Sequence, residues 1–469
     1  MTENRDKPTV VLINPRAAYA NEIAQKCYPP LHLLYLASAL EGRGFSPVVI
    51  DANAWAMPDG DIADRVADAE PFIVGLSAYS DVLPHVADLA GLVRRAAPGA
   101  SVVLGGPHAT SAPEKTLVQI PEADFILTGE ADHSFPELCG RIAADAPVAD
   151  VPGIWYRDDD GIVQGADREF PGVNCLPWPD RSLVADAYDA GLYHSLLVRR
   201  RPVDTLFTSR GCPFSCGFCY NFRKRYRART PESVVQELAA IRQRGIRDVE
   251  ITDDTFTVDE GRALAIFDRI IKERLDVSFR IKSRVDVFTE KLARRAAEAG
   301  VYLVAFGMES GSARMLDRMC KRITPEMSAR ARELCRQYGL ACHSSWVVGY
   351  PGETTETVEE TARFILSIKP TTANVALLRP YPDTPVYLEA QQAGTLVGEW
   401  SPDMDHLPWV RLPWAESRGE LEAMVTKIMR RVYFRPYYVA SFGMRALRGA
   451  NLMLARYAVQ EAKKVLWSG

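Results

Sequence analysis

The chain has 469 residues, of which 47% are hydrophobic and 25% are charged, and its formal net charge is -4. This composition is typical of a globular protein of two or three domains. The slightly negative charge gives no general attraction to nucleic acid, so we expect no nucleic-acid partner. The first residues are polar, and no apolar run approaches the ~20 residues of a membrane span. Nine cysteines in such a chain indicate reduced thiols and a cytoplasmic protein.

Residues 1–145 are predicted to form a doubly wound α/β domain. Short β-branched runs alternate there with helical patterns, at 9–14, 47–51, 72–77, 101–106 and 124–129. Runs this apolar are buried on both faces of a parallel sheet, and ligands of such sheets bind beyond the carboxyl ends of the strands. Those ends carry small or turn-forming residues, namely Asn14 to Arg16, Ser77 to Ser80, Gly105 to His108, and Gly129 with Glu130. The alternative is that these glycines only make tight turns.

The remainder of the chain is predicted to contain a connector, a barrel and a helical region. Residues 146–200 form the connector, with the hairpin sequence GIWYRDDDGIVQG at 153–165. Residues 201–390 return to strand and helix alternation, with strands at 203–209, 248–253, 277–283, 301–307, 341–349 and 372–380. Six such units predict an incomplete (β/α)6 barrel with its chemistry at the C-terminal ends of the strands. Residues 391–469 are the predicted helical C-terminal region.

Three cysteines, Cys212, Cys216 and Cys219, are spaced C-x3-C-x2-C directly after the first barrel strand. A structural zinc ion needs four closed ligands, and no fourth ligand of suitable spacing lies nearby. A 4Fe-4S cluster is normally held by cysteine thiolates, and three of them would leave one iron open to a ligand from solution. Glycine and proline between the cysteines indicate a loop rather than a packing face. The spacing therefore favours a 4Fe-4S cluster over three buried thiols.

This spacing, with the aromatic Phe218 just before the third cysteine, resembles the signature of the radical S-adenosylmethionine (SAM) superfamily. The resemblance implies that Cys212, Cys216 and Cys219 hold the cluster and that its open iron binds SAM. It also implies that SAM is cleaved to a 5′-deoxyadenosyl radical and that Phe218 and Tyr220 lie near the adenine.

Further SAM contacts are predicted at the ends of the later barrel strands. The resemblance assigns Glu309 and Ser310, after the fourth strand, to the ribose and amino-acid parts of SAM. Arg284, after the third strand, is a cation that could pair with the SAM carboxylate, with a plain surface arginine as the alternative. Asp254, like its neighbour Asp253, could accept hydrogen bonds from SAM or cap the next helix. Gly349, after the fifth strand, would let the backbone approach the adenosine closely.

The N-terminal domain resembles the cobalamin-binding domain of one large radical SAM subfamily. The segments that carry this resemblance lie at 28–51, 75–80, 105–110 and 126–138. The implied cobalamin site contains Ser77, Tyr79, Ser80, Gly105, Gly106, Pro107, His108, Gly129 and Glu130. The D-x-H-x-x-G sequence that supplies a cobalt-ligating histidine in mutases is absent, so we expect cobalt to lack a protein histidine ligand. His108 is the nearest exception, but its place after Gly-Gly-Pro favours a turn or hydrogen-bonding role.

The C-terminal region from about Met424 to Trp467 is basic and aromatic. Its arginines and lysines, from Arg430 and Arg431 to Lys463 and Lys464, are set among large apolar residues. An amphipathic basic helix of this kind can lie on an anionic membrane surface or pack against its own protein. We favour packing, and membrane contact stays the alternative.

Together the two resemblances imply a cobalamin-dependent radical SAM enzyme. The expected reaction is C-methylation of an unactivated carbon in a natural-product or lipid-like small molecule, through the deoxyadenosyl radical and methylcobalamin, with electrons from a flavodoxin or ferredoxin. One alternative is a non-methylating oxidative cyclase, like the anaerobic cyclase that acts on magnesium-protoporphyrin monomethyl ester. Another is a cobalamin-binding sensor with a vestigial barrel. Trp346, Tyr350 and Tyr381 are candidate lining residues of the substrate cavity, with burial in the core as the alternative that is equally common for aromatic residues at strand ends. No catalytic acid or base is predicted.

Overall fold

The computed structural model describes residues 7–16, 26–159, 161–195, 197–220, 225–435 and 438. The chain forms two compact units. Unit 1 contains residues 1–193 and 398–407, and unit 2 contains residues 194–397 and 408–469. Among the helices of the described ranges, none has the length and apolar content needed to cross a bilayer.

Unit 1 contains a seven-stranded sheet in the order β2-β1-β3-β4-β5-β6-β7. Its helices and strands are, in chain order, β1 Thr9–Asn14, α1 Leu31–Glu41, β2 Ser46–Asp51, α2 Asp59–Ala69, β3 Ile73–Ser77, α3 Leu83–Ala96, β4 Ser101–Gly105, α4 Pro107–Ser111, α5 Pro113–Gln119, β5 Phe125–Leu127, α6 Ser134–Ala143, β6 Ile154–Asp158, β7 Gly161–Gln164 and α7 Ala185–Asp189. The first five strands of this order are parallel, which confirms the prediction. The predicted hairpin forms β6 and β7, which extend the sheet in antiparallel fashion beyond β5.

Strand β1 lies inside the sheet of unit 1 and is apolar on both faces. Val10 and Leu12 pack on one face with residues of α1 and α6. Val11 and Ile13 pack on the other face with residues of α2 and α3. The sheet is therefore doubly wound, and its order places a crevice between the carboxyl ends of β1 and β3, where sheets of this topology bind their ligands.

Unit 2 is built on a six-stranded parallel sheet in the order β15-β14-β13-β12-β11-β8. Its helices and strands are β8 Val203–Leu206, β9 Ser209–Arg210, β10 Arg227–Ala228, α8 Pro231–Gln243, β11 Asp248–Ile251, α9 Glu260–Lys272, β12 Ser278–Ser283, α10 Glu290–Glu298, β13 Val301–Glu309, α11 Ala313–Arg318, α12 Pro325–Gln337, β14 Ala341–Val348, α13 Thr355–Ile368, β15 Thr372–Leu377, α14 Pro385–Gln392, β16 Leu396–Val397, β17 Trp409–Val410 and α15 Arg418–Tyr433. The six predicted barrel strands are all present in this sheet.

Threonine side chains fix the beginnings of several helices that surround the sheet of unit 2. The hydroxyl of Thr230, before α8, accepts a hydrogen bond from the backbone N–H of Ser233. Thr289, Thr324 and Thr354 cap α10, α12 and α13 in the same way. Each cap satisfies a helix donor that would otherwise lack an intrahelical acceptor, so each fixes where the loop from the preceding strand must end.

Helix α15 covers the outer edge of β15. The Tyr433 hydroxyl accepts a hydrogen bond of 2.9 Å from Ala373 N–H and donates one of 2.7 Å to Ala373 C=O. Arg431 forms a bidentate ion pair with Glu359 of α13. The described part of the predicted C-terminal region is therefore packed against its own sheet. Residues 439–469, with the remaining basic residues of that prediction, lie outside the described residues.

Replacing Tyr433 by phenylalanine is expected to destabilise unit 2 by about 1–3 kcal/mol, because Ala373 of the edge strand loses both hydrogen bonds to the Tyr433 hydroxyl. Denaturant unfolding of wild type and Y433F measures this difference. Y387F is a suitable control, since Tyr387 lies on α14, away from the β15 edge. An unchanged unfolding midpoint for Y433F would contradict the assigned edge contact.

Candidate active site

The cysteine loop follows β8 at the carboxyl end of the sheet of unit 2. Cys212 and Cys216 are partly buried, and Cys219 is exposed. The loop is tied down at Gly217, whose N–H donates to Met319 C=O (2.9 Å) and whose C=O accepts from Val386 N–H (3.0 Å). A Cβ atom at position 217 would lie 2.5 Å from the Tyr350 hydroxyl, so only glycine fits there without a shift. The structure thus presents the three thiols on an anchored loop.

Asp253, at the carboxyl end of β11, holds the residues that lead into this loop. Its carboxylate accepts hydrogen bonds from the backbone N–H groups of Thr208 (2.6 Å) and Ser209 (3.1 Å). It also accepts from both of their hydroxyls, at 2.5 and 2.6 Å. The helix-capping alternative for Asp253 and Asp254 is wrong, because Asp259 is the residue that caps α9. Asp253 is instead a buried anchor of the loop.

Two cationic side chains lie next to Cys216. The Arg284 Nη1 atom is 3.7 Å from the Cys216 sulfur, and its guanidinium lies 3.8 Å from the centre of the Phe214 ring. The same guanidinium donates to both carboxylate oxygens of Asp286 and to Lys321 C=O. Burial raises the pKa of the Cys216 thiol, while the charges of Lys321 and Arg284 lower it. The pKa of the Cys216 thiol is raised overall, and Lys321 and Arg284 are the neighbouring charges that would offset the negative charge of a thiolate ligand.

The second cation, Lys321, was not found from the sequence. Its ammonium forms a buried ion pair with Glu309 (2.9 Å) and lies 5.8 Å from the centre of the Phe218 ring. Burial alone would lower the Lys321 pKa, but the Glu309 carboxylate acts against this and the pKa is raised overall. Glu309 and Cys320 both have positive φ angles, of 61° and 52°. Such backbone strain in non-glycine residues is frequent at functional sites.

The other predicted SAM residues have different environments. Ser310 is fully buried and shares a hydrogen bond of 3.0 Å with Thr361. Asp254 is exposed, and Phe218 and Tyr220 are partly buried. Trp346 is completely buried against Phe364 of α13, so it lies on the helix side of the sheet and not on the side that the cavity prediction required. The roles of Phe218, Tyr220, Asp254 and Ser310 toward SAM remain predictions.

Gly349 adopts a φ angle of 101°, which only glycine reaches without strain. Its N–H donates a hydrogen bond of 2.6 Å to the Oε2 atom of Glu353. Glu353 is 1% exposed, and burial raises its pKa to about 7 although the Gly349 N–H acts in the opposite direction. The loop after β14 is therefore held by a carboxyl group that is largely protonated below neutral pH.

The raised pKa of Glu353 predicts a pH-dependent stability. Between an unfolded pKa near 4.5 and a folded pKa of about 7, the folded chain holds a proton that the unfolded chain has lost, so this contribution decreases as pH rises through that window. The full change is on the order of 3 kcal/mol. Denaturant unfolding from pH 5 to 8 should show this component in wild type and in E356Q, a surface control, but not in E353Q. Parallel pH profiles for all three proteins would contradict the prediction.

In unit 1, the predicted cobalamin residues meet at the carboxyl ends of β3 and β4. The Ser77 hydroxyl is 2.8 Å from His32 Nε2, and the Tyr79 ring, 39% exposed, forms a T-shaped pair with the His32 ring. Ser80 and His108 share a buried hydrogen bond of 2.9 Å. His108 is 1% exposed, and burial lowers its pKa to about 4. These contacts support the hydrogen-bonding interpretation of His108. His32 was not predicted, because a single histidine in the mainly apolar helix α1 is not a motif.

Backbone conformations around these residues leave room beside the strands. Gly106 has a φ angle of 106°, and a Cβ atom there would lie 2.9 Å from Ala78 C=O. Gly105 ends β4, and Pro107 is the first residue of α4. Gly129 also has a positive φ angle, and its N–H donates to the Thr110 hydroxyl, while Glu130 is buried. Gly106 therefore lets the loops after β3 and β4 approach each other closely, and the roles of these residues toward cobalamin remain predictions.

The chemistry of the cysteine loop fits the iron-sulfur cluster that the sequence implies. In the part of the chain that the structure describes, no three His, Cys, Asp or Glu side chains converge on a position for a single metal ion. A 4Fe-4S cluster does not require such convergence, because each cysteine binds a different iron. All nine cysteines lie in the described ranges and are free thiols, so the three of the loop are available as thiolate ligands.

Two protein families match this chain. Residues 20–139 match the B12 binding domain, and residues 206–365 match the Radical SAM superfamily. The chain is 32% identical to an uncharacterized methyltransferase of Pyrococcus horikoshii, over 80% of this chain and 81% of that protein. It is 28% identical to the anaerobic magnesium-protoporphyrin IX monomethyl ester cyclase of Rubrivivax gelatinosus, over 88% of this chain and 75% of that protein.

The fold is shared with a solved structure. The cobalamin-dependent S-adenosylmethionine radical enzyme OxsB, with aqua-cobalamin bound, superimposes with a TM-score of 0.78 at 18% identity, covering 99% of this chain and 72% of OxsB. The predictions of both cofactor domains are confirmed, and the cofactors are a 4Fe-4S cluster, SAM and cobalamin. The chain belongs to the cobalamin-dependent radical SAM enzymes.

Proposed function

We propose that this enzyme transfers a methyl group to an unactivated carbon of a small molecule. The observation that carries this proposal is the similarity to a methyltransferase over four-fifths of both chains, in a protein that joins the two cofactor domains. When bound, the cluster and SAM supply a carbon-centred radical, and cobalamin supplies the methyl group.

The protein's own contribution is to hold the cofactors in position and to place charges next to them. Cys212, Cys216 and Cys219 are the cluster ligands in this proposal. Asp253 fixes the strand end that leads into their loop, and Arg284 places a positive charge next to the Cys216 sulfur. In unit 1, Tyr79 offers an exposed aromatic face at the predicted cobalamin site. Since preorganised charge and position supply the protein's share of the catalysis, no acid or base is needed in this scheme.

The second candidate function is oxidative cyclisation. It is favoured by the similarity to the Rubrivivax cyclase, which covers 88% of this chain. The residues at the cofactor sites do not separate the two reactions, because both would use the same three cofactors.

We further propose that the enzyme works in the cytoplasm with a flavodoxin or ferredoxin as electron donor, because nine free thiols and an iron-sulfur cluster need a reducing compartment.

An anaerobic assay of the reconstituted, cobalamin-loaded enzyme tests the proposal. SAM with a deuterated methyl group and a chemical reductant are added, and S-adenosylhomocysteine, 5′-deoxyadenosine and the methyl label in the cobalamin fraction are quantified by mass spectrometry. A methyltransferase should form S-adenosylhomocysteine and labelled cobalamin as well as deoxyadenosine. Deoxyadenosine alone would favour the cyclase.

The control for this assay is the variant C216A, which removes one cluster ligand. It should form no deoxyadenosine, whereas transfer of the methyl label to cobalamin needs no radical and can persist. Wild-type enzyme with a full iron content that forms neither product would overturn the proposal and would favour the sensor alternative.

A further inference from the structure

The sheet of unit 2 has one face packed against helices and one open face. Phe279, Phe306 and Trp346 are buried on the packed face. The alternate positions of β12 to β15 point the other way, and we call this side the inner face. It is defined by Lys282, Ala305, Gly307, His343, Ser345, Asn374 and Ala376. All seven are exposed or partly exposed, so the inner face is reached by solvent.

The strand register arranges the inner face in layers. Lys282 is paired with Ala305, which is paired with His343. One layer nearer the carboxyl ends, Gly307 is paired with Ser345, which is paired with Asn374. Because Glu309, Arg284 and the cysteine loop lie at those carboxyl ends, these layers form the floor directly beneath the predicted SAM site.

Small residues make this floor a chamber. The interior of a closed barrel is normally filled by bulky branched side chains. On the inner face the central strand carries Ala305 and Gly307, and the edge strand carries Ala376. Side chains of this size leave space beside the strands, and a ligand can fill it. Of the seven residues that define the inner face, those large enough to reach such a ligand are Lys282, His343 and Asn374. Val347, the next residue of β14 with the same orientation, packs instead against an apolar cluster.

The charges facing this chamber leave one cation without a counter-ion. Arg280 is paired with Glu250 below, and Lys321 is paired with Glu309 above. His343 is hydrogen-bonded to Thr372 at 2.8 Å. Asp248, at the bottom, accepts from Tyr302 and from the backbone N–H groups of Arg199 and Arg200. Within the described ranges, the Lys282 ammonium has no ion pair, and Ser345 and Asn374 make no side-chain hydrogen bond.

We propose that the inner face is the substrate chamber and that Lys282 recognises an anionic group of the substrate, a carboxylate or a phosphoryl oxygen, with Ser345 and Asn374 as further hydrogen-bonding groups. This inference rests on the proposed function and narrows its substrate class from lipid-like molecules to anionic small molecules. A charged hydrogen bond in such a chamber fixes orientation, which a radical reaction at one carbon requires.

Ligand binding to the full chain tests this inference. The cluster-reconstituted, cobalamin-loaded protein is titrated under ¹⁹F NMR with 4-fluorophenylphosphonate, 4-fluorobenzoate and the neutral 4-fluorobenzyl alcohol. S-adenosylhomocysteine is present throughout to fill the SAM site. The acids should bind at least about tenfold more tightly than the alcohol, as a charge-assisted contact predicts. The acid that binds more tightly identifies the preferred anionic group.

Variants locate the contact. K282Q should lower the affinity for both acids by about tenfold and leave the affinity for the alcohol unchanged. K282R should restore most of the affinity for the acids. K272Q, at an exposed lysine that ends α9, is the matched control and should bind all three probes as wild type does. The inference is overturned if K282Q binds the acids as tightly as wild type, if the alcohol binds as tightly as the acids, or if wild type binds no probe. Failure of the wild-type methyl assay with retained anion binding would reject only the proposed reaction.

Discussion

Replacement of Asp253 by alanine is expected to release the cysteine loop and to lower the iron content of the reconstituted protein several-fold. The substitution leaves the backbone N–H groups of Thr208 and Ser209 buried without an acceptor, together with two buried hydroxyls. Each buried N–H that loses its acceptor costs about 1–3 kcal/mol, so the total is roughly 2–6 kcal/mol. Iron analysis, the visible absorbance of the cluster and denaturant unfolding measure the two effects.

Two variants make this prediction specific. D253N keeps an oxygen acceptor and should give an intermediate iron content and stability. D254N changes the adjacent, exposed carboxylate and should keep the wild-type iron content and stability. If D253A bound iron like wild type, Asp253 would not be an anchor of the loop. If D254N lost iron and D253A did not, Asp254 would be the anchor of the loop.

Replacement of Glu237 by alanine is expected to destabilise unit 2 by about 3–5 kcal/mol. Arg229 and Glu237 form an ion pair in which the side chains are 3% and 0% exposed. Removing one partner of a buried pair leaves an uncompensated charge, which is the costly case. Arg229 also donates to Phe207 C=O and to Ser233, so the guanidinium cannot simply turn out to solvent. Denaturant unfolding of the full chain measures the change.

The double variant R229M/E237L tests the cause of this effect. Apolar residues of similar volume often replace a buried ion pair at little cost. The double variant should therefore be clearly more stable than E237A, although the Phe207 C=O loses a donor. A double variant as unstable as E237A would show that packing, and not the unpaired charge, causes the destabilisation.

The strands of both sheets could be predicted because their signals are local. The run at 9–14 is mostly apolar at successive positions, as a parallel strand buried on both faces requires. The run at 301–307 is also apolar, although Ala305 and Gly307 lie on the solvent-accessible inner face. The cysteine loop could be predicted for a similar reason, since its spacing lies within a few residues. The pairing of the 153–165 hairpin with β5 could not, because nothing in a hairpin sequence specifies which sheet edge it will meet.

Groups at the site that depend on distant contacts escaped sequence reasoning. Lys321 reaches Glu309 from a turn after α11 in which Cys320 and Arg322 have positive φ angles. Neither cysteine nor arginine is a residue type from which a positive φ angle would be predicted. The sequence predicts that Asp253 either accepts hydrogen bonds from SAM or caps the next helix. The residues that it holds, Thr208 and Ser209, instead lie before helix α8, far from it along the chain. Trp346 looked like a cavity residue until the register of β14 placed it against α13.

The attachment of Gly217 has a consequence for the order in which the enzyme is assembled. Its N–H and C=O are held by Met319 and Val386, which a ribosome adds long after the cysteines themselves. Closing such long segments carries an entropic cost that is repaid only when the later strands are in place. The nascent chain therefore exposes three unanchored thiols until its barrel is nearly complete. We therefore expect cluster insertion to follow synthesis, and in the intervening time these cysteines need a reducing environment to stay as thiols.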